Sequence, residues 1–128
     1  MTPDLKILVW TIALAFIEVV VAVLLAMGQV GLGMLAGNRE GLGELTSFAG
    51  RAKRAHWNMI ESLPLFIALV LVAQIAGKAN GATHAGCVLF FWGRLAHFVI
   101  YVIGVPWLRT IAWVISVIGL IMIFGQVV

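Results

Sequence analysis

Four apolar stretches, each near the length of a bilayer core, dominate this chain of 128 residues. The first runs from Ile7 to about Met27, and "GQVGLGML" carries its apolar character on to Leu35. The others run from Ile60 to Ala76, from Ala82 to Ile103 and from Trp107 to Val128. A helix needs about 20 apolar residues to cross hydrocarbon. The first stretch is too long for a signal-peptide core, and no small-residue cleavage site follows it. The second is short for a span unless the polar segment before it is also helical. "GNREGLGELTSFAG", "GKANGAT" and "GVP" separate the stretches, and glycine and proline mark helix ends. Apolar residues make up 63% of the chain and charged ones only 10%, where a soluble domain carries about 25% charged. These features predict an all-α membrane protein, a bundle of four transmembrane helices in a single domain over residues 1–128.

Sparse charge in such a chain sets orientation. Arg39, Arg51, Lys53, Arg54 and Arg109 fall on the side of the first and third connections, Lys6 and Lys78 on the other. Basic residues near span ends favour the cytoplasm. The first connection is therefore expected there, with both termini outside, in a multi-pass protein of the inner (cell) membrane. A thin scatter of basic residues is no nucleic-acid footprint, which needs a clustered basic face. Cys87, the one cysteine, excludes an intrachain disulfide and reads as a small packing residue. Metal ligation is not expected, because no His/Cys/carboxylate set has ligand spacing. No glycine loop suited to phosphate is present either.

The informative stretch is "RAKRAHWNMIESLPLF", residues 51–66. At about 100° per helical residue, Arg51, Arg54, Asn58 and Glu61 fall in a sector of roughly 80°. They form one polar stripe at the end of the second span. Pro64 is expected to kink the helix just beyond it. The third span repeats the pattern, with Arg94, His97 and Tyr101 on one face, and Arg109 and Thr110 open the fourth span at the same membrane side. Charges at membrane depth face protein or water and find partners. Two readings stay open from spacing. Arg54 or Arg94 pairs with Glu61 and stitches helices together, or a surplus of arginine forms a cavity for an anionic ligand. Arginine's fork grips carboxylates in a bidentate way that lysine cannot match. Glu18, mid-span in the first helix, is expected to pair with an arginine of the second or third span or to be protonated. His56 reads as a surface residue and His84 as a loop residue. Helices two and three carry more polar surface than a lone bundle can hide, which predicts a homotrimer with the stripes at subunit contacts.

"RAHWNMIESLPLF" followed by "GRLAHFVIYVIGVPWLRTIAW" resembles the MAPEG family, the membrane-associated proteins in eicosanoid and glutathione metabolism, and in particular its short bacterial-type members. The resemblance spans nearly the whole chain. Its specific part is Arg54, Ala55, Asn58, Glu61 and Pro64 in the second span, then Arg94, His97 and Tyr101, then Leu108 and Arg109. It implies a homotrimer binding glutathione between subunits near the cytoplasmic face. Arg51, Arg54, Asn58, Glu61, Arg94, His97, Tyr101 and Thr110 would line that site. Arg109 matches the arginine credited in synthase members with stabilising the glutathione thiolate, and a neighbouring guanidinium lowers a thiol pKa from about 8.5. The resemblance thus implies a transferase or peroxidase directing glutathione at a hydrophobic small molecule from the membrane lipid. Trp57 and Trp113 depart from the synthase pattern, which has a basic residue and a tyrosine there, so an eicosanoid specificity does not follow. A non-catalytic lipid-binding or accessory protein of the same fold stays open as the alternative.

Overall fold

The computed structural model describes residues 1–128 and is helical throughout. Its elements are α1 (Pro3–Val30), the short α2 (Leu32–Ala36), α3 (Ser47–Ile75), α4 (Gly81–Ile103) and α5 (Pro106–Val127). The four long helices are each long and apolar enough to cross a membrane. Their outward surface agrees with that environment: Phe16, Trp10, Ile121 and Trp107 are 67, 66, 62 and 81% exposed, a large cost in water and none in hydrocarbon. The chain is an integral, multi-pass membrane protein whose helices meet lipid.

Local chemistry sets each boundary. Thr2 caps α1 through its side chain, with Pro3 in the first turn, where its missing N–H costs nothing. Gly31, at φ 85°, stops α1 and divides the first apolar stretch, so the run to Leu35 continues as the separate α2. The second span gains its missing length because the polar segment from Ser47 onward is helical, and α3 passes through Pro64 as a single helix. Asn80 and Thr83 form a reciprocal capping box on α4, satisfying two orphan donors at once. At the far end, Gly104 (φ 97°) donates to the Ile100 carbonyl and turns the chain into α5, whose first residue is Pro106.

The tightest helix pair is α4 against α5. A Cβ on Gly86 would lie 2.7 Å from the Gly119 carbonyl, and one on Gly93 would lie 2.9 Å from the Ser116 nitrogen. Small residues let membrane helices approach at backbone distance, where dispersion and packing replace a hydrophobic drive that lipid cannot supply. The larger apolar core lies toward the end holding the chain termini. There Phe66 of α3 stacks on Phe90 of α4 at 4.1 Å between centroids, among Leu8, Val70, Cys87 and Ile123. Toward the other end a smaller cluster sets Ala22, Ala52 and Ala55 against Phe98.

Candidate functional site

At the end formed by the start of α3, the α2–α3 connection and the α4–α5 turn, a groove of about 450 Å³ is lined by Arg54, Asn58 and Glu61 of the expected stripe. Glu44, Lys53 and Trp57 complete its polar wall. The connection is held against α3 by backbone geometry, since a Cβ at Gly50 would run into the Leu45 carbonyl. Gln29 at the end of α1 then clamps Thr46 by three hydrogen bonds of 3.0–3.1 Å. Glu44 is thus a groove residue that spacing along α3 could not disclose.

The remaining candidates take different places. Arg94 is 1% exposed, and its Nη2 donates to Asn58 Oδ1 at 2.8 Å. Its Nε and Nη1 are buried without acceptors, an uncommon state for a charged donor. Arg94 therefore stands behind the groove and reaches it through Asn58. His97, 3% exposed, meets the Tyr101 ring edge-on at 5.5 Å. Arg109 lays its guanidinium over the ring of the chain's only tyrosine, 4.2 Å from the centroid, a favourable cation–π distance. Arg51 leaves the stripe altogether. Its Nε donates to the Val102 carbonyl at 2.8 Å, one of the orphan acceptors at the end of α4, and its guanidinium lies against Gly104. Thr110 is exposed and bonds to its own helix at the Pro106 carbonyl, 3.3 Å away.

Two pairings differ from expectation. No arginine forms an ion pair with a carboxylate: both ion pairs of the chain join an acid to a histidine. Arg54 and Arg94 do not bridge to Glu61, so the closed structural network is not the arrangement this fold adopts. Glu18, 1% exposed, lies 3.6 Å from His56 Nδ1 and forms no ion pair with an arginine. That distance is too long for a hydrogen bond, and Glu18 Oε2 and His56 Nδ1 both lack partners. His56 is consequently turned inward toward α1, half-buried, and is not a surface residue. The signal for it was the cost of an unpaired Glu18 at the same depth.

At the opposite end sits a cluster the sequence reading missed. Asp4, 5% exposed, accepts from Thr83 Oγ1 at 3.0 Å and from Gln74 Nε2 at 3.5 Å, and lies 2.9 Å from His84 Nδ1. His84 belongs to the first turn of α4, not to a loop. The cluster ties the start of α1 to the start of α4 and the end of α3.

A family match takes in these features: residues 7–128 fit the MAPEG family. The chain belongs to the MAPEG family. No curated protein and no solved structure matches it. The match covers the four long helices except the first four residues of α1, and it includes every residue of the groove and of the Tyr101–Arg109 stack. As a MAPEG protein, the chain is a membrane protein of the family associated with glutathione and eicosanoid metabolism.

Proposed function

We propose that this MAPEG protein binds glutathione in the Arg54–Asn58–Glu61 groove and directs its thiol at a hydrophobic electrophile that arrives from the bilayer, as a transferase or peroxidase. One observation carries the proposal: the arginines of the site end have no carboxylate partner, and Arg54 opens into a groove that also holds acids. Glutathione carries two carboxylates and one ammonium. Arg54 suits a carboxylate, and Glu44 and Glu61 suit the ammonium. The buried Arg94 guanidinium fixes the amide of Asn58 and so presets which of its atoms faces the groove.

When bound, glutathione supplies a thiol nucleophile. Arg109 is the residue to hold that sulfur as a thiolate, because a guanidinium favours the charged form. Tyr101 supports the Arg109 guanidinium from beneath, and His97 backs the ring. Within one chain Arg109 does not line the groove. A homotrimer supports bringing them together, with the groove of one subunit facing the α4–α5 turn of the next. The exposed charges of Arg54 and Glu61 on α3 fit such a contact, since charges at membrane depth face protein. Of the two sides of the bilayer, the arginine excess favours the cytoplasm for the groove. The membrane would be the inner (cell) membrane.

Titration of glutathione into the detergent-solubilised protein tests the reading, with thiolate followed by ultraviolet absorbance as pH is varied. Saturable binding with a thiolate signal is expected. Binding without it would point to the non-catalytic alternative, and no binding would remove glutathione.

A further inference from the structure

A second groove shares a wall with the first. Leu45, Lys53 and Trp57 line both, so a ridge of these residues divides a polar hollow from an apolar one. The second hollow, about 320 Å³, lies between α1, α3 and the connection, and nine of its twelve lining residues are hydrophobic. That volume is at the small end of the roughly 300–1,000 Å³ that ligand pockets occupy. Its polarity is graded along the helix axes. Arg39 and Lys53, both exposed, stand at the membrane-surface end, and Val19 and Ile60 line the deep end. From Lys53 to Ile60 the helix rises by about 10 Å. No acid lines the hollow, and neither basic residue is in an ion pair. Arg39 is held in place by donating to the Leu35 carbonyl at 2.9 Å.

We propose that this hollow is a binding site for an anionic phospholipid of the surrounding leaflet, with the phosphate at Arg39 and Lys53 and one acyl chain along Ala22, Ala26 and Ile60. Charge complementarity selects the occupant. Two cations without a counterion stand at the level where headgroups lie, and the apolar channel beneath them takes a chain and offers nothing to a second polar group except His56. A neutral amphiphile would leave both cations unanswered. The same two residues belong to the basic excess that orients the chain, so orientation and lipid capture draw on shared charges. The proposal does not depend on glutathione.

Trp57, 58% exposed, reports occupancy. The full chain is reconstituted in phosphatidylcholine vesicles containing a minor fraction of either phosphatidylglycerol or phosphatidylcholine with brominated acyl chains, which quench tryptophan on contact. Each basic side chain beside an anionic headgroup contributes about a fivefold preference, so brominated phosphatidylglycerol should occupy the site about tenfold or more in preference to brominated phosphatidylcholine. The excess quenching should vanish in Trp57→Phe, drop in Arg39→Gln and again in Arg39→Gln/Lys53→Gln, and shrink as salt rises, because exposed charge pairs are screened. The salt series needs no variant and so stands if the double variant fails to fold. Equal quenching by the two lipids, or a selectivity indifferent to both salt and Arg39→Gln, would overturn the proposal. So would quenching that Trp57→Phe leaves unchanged for both lipids, the result expected if a second copy of the chain covers the hollow.

Discussion

The two ends of this bundle handle buried polar groups in opposite ways. At the end holding the termini, Asp4 is enclosed by Thr83, His84 and Gln74, and no atom of the four is left buried without a partner. At the other end, Glu18, His56 and Arg94 all keep buried polar atoms without partners, and Arg54 and Lys53 face a groove. A buried donor or acceptor without a partner costs about 1–3 kcal/mol. A network that only holds helices together has every reason to be complete, as the Asp4 cluster is. On the proposed function, the incomplete one waits for a partner from outside the chain. On that reading the contrast separates stability from binding within one small molecule.

That contrast can be broken from either side. The largest effect is expected at the closed end. Asp4→Ala removes the acceptor of Thr83 and Gln74 and the partner of His84, so stability should fall by about 3 kcal/mol, read as a lower melting temperature in detergent, with glutathione affinity of the folded fraction unchanged. At the open end the signs should reverse. Arg54→Ala should leave the melting temperature nearly alone and weaken glutathione binding roughly 10- to 150-fold, the consequence of losing a charge-assisted hydrogen bond of about 1.5–3 kcal/mol. Asn58→Ala should do some of both, because it strips the buried Arg94 of its only acceptor; calorimetry and thermal unfolding on one preparation separate the two losses. Arg109→Ala sharpens the comparison further. Affinity should change little, while the thiolate absorbance of bound glutathione moves to higher pH. The smallest effect belongs to Thr110→Val. Its hydroxyl is exposed and bonds to its own backbone, so stability should shift by less than about 0.5 kcal/mol. A loss of binding beyond tenfold would show that a neighbouring subunit brings Thr110 into the groove.

Much of this was legible in the chain. Three of the four spans follow from run length alone, because hydrocarbon thickness fixes how many apolar residues a helix needs, and the second needed the polar segment before it to be helical as well. The stripe on α3 follows from charges three and four apart, and three of its four members do share one groove. Arg51 escaped because its side chain is long enough to leave its sector for the nearest unpaired carbonyl, at Val102. Arg94 and His97 share a face as their spacing requires, but spacing cannot say whether a face looks into the chain or out of it. Asp4 reads locally as an ordinary acid in a first helical turn, favoured there by the helix dipole. Its partners lie at positions 74, 83 and 84, and only the fold brings them near. His56 needed the depth of Glu18 on another helix. Pairings between helices were the part the sequence withheld.

The backbone contact between Gly86 and Gly119 has a mechanical consequence. Two helices meeting at that distance cannot slide or part without losing contacts along their full length, so α4 and α5 behave as one jaw. Arg94, Tyr101 and Arg109 ride on that jaw, and Arg54, Asn58 and Glu61 ride on α3. The hydrogen bond from Arg94 to Asn58 crosses the seam between them. Through that bond a displacement of Asn58, which lines the groove, is passed to the α4–α5 pair.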